Sequence, residues 1–304
     1  MTIQTKRAKG TAHVEIDYER CDACGLCVAV CKGAPLYMQE GMVQIDQQNL
    51  FGCIACGACV AVCPQDCIQV RGRDLSPEDM FPLPAGYAQA SYETLTALFL
   101  KRRSVRNFND KAVSRESIQA ILDAVTTAPM GLPPTDVEVL VLENQAAVQR
   151  FSADVIAYFK KIKWLFSDLV LVLLRPFMAK ETAAMVRDFL AVAIHGILEK
   201  NIQGEDWLTY DAPCALYFYT SRYADPADPI IAATYAMLAA EAMGLGSCML
   251  GTIPYCFQYS RKLRKTYQIP NKSQQGLMLI LGYPAVSYQR GIHRRLGQIR
   301  FITQ

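Results

Sequence analysis

Eight cysteines near the start of the chain constrain its fold more than any other feature. They form two groups with the same internal spacing, C-x2-C-x2-C-x3-C, and each cysteine of the second group lies 32 positions after its counterpart. The first group is Cys21, Cys24, Cys27 and Cys31, and the second is Cys53, Cys56, Cys59 and Cys63. One motif written twice predicts two similar halves, each wrapped around its own set of thiols.

The spacing within each group is typical of 4Fe-4S clusters. Three cysteines at two-residue spacing can surround one iron–sulfur cube, while the fourth points away and ligates the other cluster. Glycines within the motifs, Gly25 and Gly57, would allow the tight turns that this wrapping needs. The predicted ligands are Cys21, Cys24, Cys27 and Cys63 for one cluster, and Cys53, Cys56, Cys59 and Cys31 for the other.

Zinc sites and disulfides are the alternatives for so many cysteines. Structural zinc takes paired C-x-x-C arms from separate segments, and a third cysteine at the same short spacing adds nothing to such a site. Disulfides need an oxidising compartment. Residues 1–17 contain basic residues but no apolar stretch typical of an export signal, so we expect thiolates in a reducing cytoplasm.

The repeat extends beyond the cysteines. Residues 14–17 and 43–46 precede the two motifs and alternate apolar and polar side chains, which predicts short strands. Pro64 directly follows the second motif, as in bacterial ferredoxins, whereas Lys32 follows the first. Residues 10–72 therefore resemble the two-cluster bacterial-type ferredoxin domain, a resemblance that implies transfer of single electrons.

The length of the chain requires a second, larger domain. Of the 304 residues, we assign 1–74 to the ferredoxin-like domain and 75–90, which are rich in proline, to a short stiff linker. Residues 91–304 then form the second domain, with a helical insertion at about 151–210. The content of 52% hydrophobic and 19% charged residues predicts a substantial core.

Charge and hydropathy exclude two classes of partner. Residues 1–75 carry seven basic and eight acidic side chains, and the remainder carries 24 and 20, so neither part has the basic excess of a nucleic-acid binder. The most lipid-like stretch, residues 169–174, is far shorter than the ~20 residues of a membrane-spanning helix. We therefore expect no membrane span.

A cluster of basic residues follows the first predicted helix of the second domain. Residues 92–100 have helical apolar spacing and lead directly into Arg102, Arg103 and Ser104. Two arginines and a hydroxyl at a helix end can hold a phosphate through charge-assisted hydrogen bonds. Basic residues at such a position also complement the helix dipole, so this segment alone leaves both interpretations open.

Further elements along the chain give that segment a context. A second helix is predicted over residues 114–127, followed by Pro129 and Gly131 and by a buried strand at 137–142. Later come the glycine-rich residues 244–251, Leu-Gly-Tyr-Pro at 281–284, and a basic run of Arg290, His293, Arg294 and Arg295. In this order, over about 92–145 and 210–300, the elements resemble the FMN-dependent nitroreductase family.

The resemblance implies an α+β fold, with a central antiparallel sheet flanked by helices, and a homodimer. It implies that Arg102, Arg103 and Ser104 hold the FMN phosphate with Arg294 and Arg295, and that Arg106 approaches the pyrimidine edge of the flavin. Pro129, Met130, Gly131 and Leu132 would pass beside the isoalloxazine, usually from the partner subunit. Leu250 would pack nearby, and Gly251 and Thr252 would offer N–H groups to flavin N5 and O4. No catalytic side chain is identified.

Several features lie outside these motifs. After Gly131 the sequence departs from the common family pattern, and residues 132–136 read Leu-Pro-Pro-Thr-Asp. Within the insertion, an apolar stripe beside three lysines suits a helix packed over the flavin or the dimer, or alternatively an amphipathic membrane anchor. His195 is expected in a core or an interface, and His293 could join the phosphate site. Four further cysteines are interpreted as packing residues: Cys67, Cys214, Cys248 and Cys256.

The combination predicts an iron–sulfur flavoprotein oxidoreductase. No G-x-G-x-x-G motif follows a predicted strand, so a separate nicotinamide-binding domain is not expected. Electrons from a low-potential donor such as ferredoxin would pass through two 4Fe-4S clusters to FMN and reduce a small organic acceptor, either nitroaromatic, quinone-like or unsaturated. Two alternatives stay open: an electron-transfer relay for a partner protein, and remodelling of a flavin or tetrapyrrole.

Overall fold

The N-terminal part of the protein is a pair of similar halves. A computed structural model describes residues 4–32, 34–270 and 276–303. The four strands here are β1 (His13–Ile16), β2 (Leu36–Gln39), β3 (Met42–Ile45) and β4 (Ile68–Arg71), and the two short helices are α1 (Leu26–Val30) and α2 (Ala58–Val62). Strand β1 pairs antiparallel with β4, and β2 with β3, so each half supplies one strand to each pair.

A small core holds these halves together. Val14, Val43, Ile68 and Val70 are buried, with Cys27, Cys53 and Cys59 among them. Alternation along the strands explains the pattern, because every second side chain faces inward. The cysteine-bearing helices α1 and α2 lie against each other, so the core that stabilises the domain also positions the thiols.

The second domain is built on one antiparallel sheet. Its strands are β5 (Glu138–Leu142), β6 (Cys214–Tyr219), β7 (Gly246–Leu250) and β8 (Gly276–Gly282), in the order β5-β6-β8-β7. All three pairings are antiparallel. The central strand β6 is buried along its whole length, whereas β5, predicted as a buried strand, is only half-buried up to Leu142 because it lies at the sheet edge.

Helices cover both faces of this sheet. They are α3 (Tyr92–Lys101), α4 (Arg115–Thr126), α5 (Gln145–Ile162), α6 (Asp168–Leu174), α7 (Lys180–Met185), α8 (Val192–Ile202), α9 (Asp228–Ala242), α10 (Ile253–Tyr259) and α11 (Arg261–Thr266). On one face Tyr217 packs with side chains of α5, α8 and α10. On the other, Leu216 and Phe218 pack with α4 and α9, as the two-residue period of β6 requires.

The helices that lead into the predicted site begin and end as the sequence predicts. Ser91 caps α3 by accepting a hydrogen bond from the Thr94 N–H, and Ser114 caps α4 by accepting one from the Ser117 N–H. A hydroxyl at this position satisfies a backbone donor that the helix leaves unpaired. Short 3-10 turns, Pro77–Asp79 and Gly86–Ala88, interrupt the proline-rich connection between the domains.

The region from α5 to α8 divides into a buried and an exposed part. Phe151, Val155 and Phe159 of α5 lie in the main core, so the predicted apolar stripe of this helix packs inside the domain. In contrast, Leu169 and Phe177 are exposed. His195, expected in a core or an interface, is exposed on α8 of the single chain, which excludes the core. Among the helices in the described parts of the chain, none combines the length and hydropathy needed to cross a bilayer.

Candidate functional site

The two cysteine motifs adopt the same local conformation. Gly25 and Gly57 have φ of 73° and 74°, and each is the residue before a short helix. This left-handed conformation is one that glycine adopts without strain. It turns the chain between the second and third cysteines of each motif, so that Cys27 and Cys59 are buried while Cys24 and Cys56 remain exposed.

The thiols of the second motif are grouped with one cysteine of the first. Burial raises the pKa of Cys59 to about 12, and the nearby Cys53, Cys31 and Cys56 add to the rise. The same four side chains line one cavity. Buried thiolates need nearby positive charge, which the iron of a cluster supplies. The arrangement therefore fits the predicted ligand set in which Cys31 crosses over to the second motif.

The other predicted set is assembled in the same way. Burial raises the pKa of Cys27, with contributions from Cys21 and Cys24. Cys63 reaches this set from the second motif, because Cys67 lies near Cys21 and its Sγ is 3.4 Å from the Sγ of Cys63. In the described residues, no three His, Cys, Asp or Glu side chains gather as they would around a single metal ion; a four-iron cube spaces its ligands more widely.

The predicted phosphate-binding segment lies against the start of β7. The N–H of Val105 donates to the carbonyl of Ser247 at 2.9 Å. Cys248 marks where the side chains converge: burial raises the pKa of its thiol, while Arg106, Ser104 and Arg102 lie close enough to oppose the rise. The guanidinium groups of Arg102 and Arg106 and the hydroxyl of Ser104 thus lie near the same thiol. Of these, Arg102 and Ser104 are predicted phosphate contacts, whereas Arg106 is predicted at the pyrimidine edge of the flavin.

Glycine allows this close approach. A Cβ placed on Gly246 would lie 2.5 and 2.8 Å from atoms of the Val105 side chain and 2.9 Å from Pro284. Such distances are well inside van der Waals contact, so a larger residue would push the phosphate segment away from the sheet. The glycine-rich stretch that the sequence identified is therefore needed for packing at the predicted site.

The C-terminal basic run approaches the same region from outside. Gly291 lies against the end of α3, where an added Cβ would be 3.0 Å from the Leu100 carbonyl oxygen. Arg294 and Arg295 follow a few residues later and are exposed. Leu250 and Thr252 are half-buried at the end of β7, and Gly251 between them is exposed with open space around it, so its backbone is accessible to a ligand.

The segment predicted to pass beside the flavin is anchored elsewhere. The N–H of Gly131 donates to Oδ1 of Asp228, at 3.0 Å, at the first residue of α9. Burial raises the pKa of the Asp228 carboxyl, although the Gly131 N–H opposes this. Met130 packs against the core beside α4 and α9, while Leu132 and Pro129 are exposed. Sequence reasoning missed Asp228, because its partner is 97 positions away.

Within one chain, the two parts of the predicted flavin site lie at opposite ends of α9. Asp228 holds the Gly131 segment at the first turn, whereas Glu241, in the last turn, pairs with Lys101 at 3.6 Å, next to Arg102. The 13 positions between Asp228 and Glu241 correspond to ~20 Å along a helix. The start of the predicted phosphate segment at Arg102 is therefore not adjacent to the Gly131 segment of the same chain.

Polar contacts join the ferredoxin-like domain to the segment that follows Gly131. The Lys6 N–H donates to both carboxylate oxygens of the buried Asp136, at 3.1 and 2.9 Å, and Lys6 Nζ pairs with Glu138. Arg7 donates to the Thr135 carbonyl at 3.2 Å. Ser221 donates to Asp136 as well, at 2.5 Å. Local sequence patterns carry no signal for these long-range pairs.

A separate cavity lies away from these residues. It has a volume of about 720 Å³ and is lined by α5 and the α10–α11 region, including Tyr158, Phe166 and Leu263. None of the predicted flavin-binding side chains lines it. The predicted flavin-binding residues are half-buried or exposed in the single chain.

Comparison with known families agrees with the order of these elements. The nitroreductase family model matches residues 99–283, and a 4Fe-4S dicluster domain model matches residues 13–64. The first match covers more than half of the chain, so the protein belongs to the nitroreductase family. The predicted iron–sulfur and flavoprotein classes are confirmed at the level of these two families.

Three nitroreductases are among the solved structures to which this chain is similar. One is a nitroreductase with bound FMN from Bacteroides fragilis NCTC 9343, with 18% identity over 69% of this chain and 98% of that chain and a TM-score of 0.49. A second, also with bound FMN, is from Desulfitobacterium hafniense DCB-2, with 19% identity, the same coverage and a TM-score of 0.49.

The third structure is an FMN-dependent nitroreductase from Clostridium difficile R20291, with 18% identity over 69% of this chain and 100% of that chain and a TM-score of 0.48. The search of curated proteins found no significant match.

Proposed function

We propose that this nitroreductase-family protein binds two 4Fe-4S clusters and FMN, and that it uses electrons from a low-potential one-electron donor to reduce a small organic acceptor. The acceptor classes that suit a flavin are nitroaromatic, quinone-like and unsaturated compounds. A reducing cytoplasm suits the free thiols of the cluster motifs.

The observation that carries the proposal is the contact between the two domains. The ferredoxin-like domain is bonded to residues 133–138, which directly follow the segment predicted to lie beside the flavin. A tethered electron carrier acts at a high effective concentration, and this attachment would bring its clusters toward the segment predicted to lie beside the flavin. Such a contact favours electron transfer between the clusters and FMN over electron transfer from the clusters to an unrelated partner protein.

The arrangement around α9 supports a homodimer. Because Lys101, next to Arg102, and the Gly131 segment lie at opposite ends of a ~20 Å stretch of α9, a second copy of the chain would bring such segments together around one flavin. Small residues along α9, among them the buried Ala232, Ala236 and Ala240, permit close packing of helices within each chain. We propose two flavin sites per dimer.

Different side chains would bind different parts of FMN. Arg102, Arg103 and Ser104 bind the phosphate through charge-assisted hydrogen bonds, and Arg294 and Arg295 close on it from the C-terminal segment. Arg106 places a positive charge at the pyrimidine edge, which favours the reduced, anionic ring. When bound, FMN supplies the means to exchange electrons singly with a carrier and in pairs with an organic acceptor.

The electron source distinguishes this proposal from an NAD(P)H-driven reductase. Anaerobic stopped-flow mixing with dithionite or a reduced ferredoxin should bleach the cluster absorbance first and the flavin band next. NADH and NADPH should reduce the flavin slowly. A Cys24→Ala/Cys56→Ala variant should lose donor-driven reduction, yet its photoreduced flavin should still react with a quinone or nitroaromatic acceptor.

Two outcomes would contradict the proposal. Rapid flavin reduction by NADH that survives loss of both clusters would reverse the direction of flow, so that the ferredoxin-like domain exports electrons. Failure of the photoreduced flavin to react with any of the three acceptor classes, together with transfer to an added carrier protein, would identify a relay.

A further inference from the structure

One buried arginine connects the second cysteine motif to the flavin side of the molecule. Arg73 follows β4 and is buried, with only 7% of its surface exposed. It donates hydrogen bonds to three backbone carbonyls: Nε to Ile54 at 3.2 Å, one terminal nitrogen to Gly10 at 2.7 Å, and the other to Pro133 at 2.6 Å. A planar guanidinium can bridge three acceptors in this way, and a lysine cannot.

These contacts single out one of the two predicted clusters. Ile54 lies between Cys53 and Cys56, and the positive charge of Arg73 is close enough to Cys53 to act on its thiol. Pro133 follows Leu132, the last residue of the segment predicted to lie beside the flavin. The Cys53 motif and this segment are thus bonded to the same side chain.

The geometry of α9 decides which flavin lies nearby. In the same chain, Arg102 directly follows Lys101, which pairs with Glu241 at the end of α9 opposite to Asp228 and Gly131, ~20 Å along the helix axis. The Pro133 contact therefore places the Cys53 motif at the flavin position that the Gly131 segment would complete for a second copy of the chain.

We propose that electrons leave the iron–sulfur domain from the Cys53 cluster and reach the flavin held by Arg102, Arg103 and Arg106 of the other subunit, with Arg73 as the residue that positions this crossing. The inference rests on the function proposed above and adds the order of the clusters and the path between subunits. Each transfer oxidises the reduced cluster by one electron and reduces the flavin by one. Two transfers, with protons taken from solvent, complete the reduction, and dithionite restores the clusters.

Heterodimers test the path between subunits. Two differently tagged chains are co-expressed, one with Cys53→Ala/Cys56→Ala and the other with Arg102→Ala/Arg103→Ala, and the mixed dimer is purified. Its FMN is held by the arginines of the chain without the Cys53 cluster, and the intact clusters belong to the other chain. Crossing between subunits predicts flavin reduction by dithionite at the wild-type rate.

The reciprocal heterodimer is the matched control. It carries all four substitutions on one chain and none on the other, so that flavin arginines and clusters are intact in the same chain. Here we expect loss of the rapid phase, down to the rate of a homodimer with Cys53→Ala/Cys56→Ala in both chains. The opposite pattern, a slow first heterodimer and a fast reciprocal one, would show transfer within one chain and overturn the inference.

Variants of Arg73 test its positioning role by two measurements: the reduction potential of the Cys53 cluster and the rate of electron transfer from the clusters to the flavin. Arg73→Gln removes the charge and should lower the reduction potential of the Cys53 cluster in an EPR-monitored titration, because a nearby cation stabilises the more negative, reduced cluster. Arg73→Lys keeps a charge but not the three-way bridge, and should change the potential less. Both should slow cluster-to-flavin transfer by about tenfold or more, since loss of exact placement is costly.

Arg71→Gln serves as the matched control. Arg71 lies two residues earlier on β4, is exposed, and donates to Gln69, so its loss removes the same charge without touching the bridge. Its potentials and rates should equal those of the wild type. Wild-type rates in both Arg73 variants, or a shift confined to the Cys21 cluster, would overturn the role of Arg73. If clusters do not reduce the flavin even in the wild type, the proposed function itself fails, while the potential shift still reports on Arg73.

Discussion

The two cofactor regions of this protein are built in opposite ways. All eight predicted cluster ligands lie between Cys21 and Cys63, on two copies of one turn and helix. The predicted flavin residues are spread from Arg102 to Arg295 and lie at both ends of α9. A cluster site can therefore be specified by local spacing, whereas the predicted flavin site depends on the packing of a whole domain and, in our proposal, on a second copy of the chain.

The largest effect is expected at Cys63, which is predicted to bind the cluster of the other motif and not that of its own sequence neighbours. Cys63→Ala should remove the cluster predicted at Cys21, Cys24 and Cys27, because each fourth cysteine is predicted to ligate the cluster of the other motif. Iron and sulfide content should fall by about half, as one of two clusters is lost, and the EPR signal of the Cys53 cluster should persist.

Cys67→Ala is the matched control for this prediction. Cys67 is buried beside Cys63, with 3.4 Å between the sulfurs, but it is not a predicted ligand. Its replacement should leave both clusters in place. Loss of the Cys53 cluster in Cys63→Ala would show that the ligands do not cross over.

The next largest effect is expected on FMN affinity, when the predicted phosphate-binding arginines of the flavin site are replaced. Arg102→Ala/Arg103→Ala should weaken FMN binding by roughly tenfold to a hundredfold for each charged hydrogen bond, or about 1.5–3 kcal/mol, and riboflavin binding far less. Fluorescence titration with both ligands measures the difference. Arg294→Ala/Arg295→Ala should act in the same direction.

Arg115→Ala is the control for the loss of a positive charge outside the predicted phosphate site. Arg115 is exposed at the first residue of α4 and is not a predicted flavin contact, so affinities for both ligands should stay at wild-type values. Equal weakening of FMN and riboflavin in the Arg102→Ala/Arg103→Ala protein would place the phosphate elsewhere.

The same contrast explains what could be predicted from the sequence. The ferredoxin-like strands, the capped helices α3 and α4, and the order of the nitroreductase elements all follow from spacing of a few residues. His195 is not in the core of the chain, because its apolar neighbours on a helix do not reveal which face is covered, and its place in an interface stays a prediction. Arg73, Asp136 and Asp228 were missed because their partners are 60 to 130 positions away, and only the folded chain brings them together.

A smaller effect is expected where the phosphate segment meets the sheet. Gly246→Ala would place a Cβ 2.5 Å from the Val105 side chain, and such overpacking costs about 1–3 kcal/mol. Thermal unfolding should show the lower stability, and FMN binding should weaken because Ser104 precedes Val105.

Gly196→Ala is the control: Gly196 lies within α8 with nothing within 4 Å of an added Cβ, so alanine should stabilise the protein by about 0.5–1 kcal/mol. Equal stabilities of the two variants would contradict the close packing.

The smallest effect concerns the other end of α9, at Asp228. Burial raises the pKa of this carboxyl, so the folded protein holds the proton more tightly than the unfolded chain does. Stability should then fall as the pH rises from the ordinary aspartate value of about 3.9 through the raised native value. Asp228→Asn removes the charge and keeps an acceptor for the Gly131 N–H. It should match the wild type below this window and be more stable than the wild type above it.

Asp228→Ala separates the hydrogen bond from the charge. It removes the acceptor for Gly131 and should increase hydrogen exchange of the Gly131 amide, whereas Asp228→Asn should leave that exchange slow. Denaturant unfolding across the pH range, combined with exchange of this amide, distinguishes the two contributions. If Asp228→Asn is less stable than the wild type above the window, the carboxylate stabilises the folded state as a charge, and the flavin-side segment is held by an electrostatic contact rather than by a buried neutral hydrogen bond.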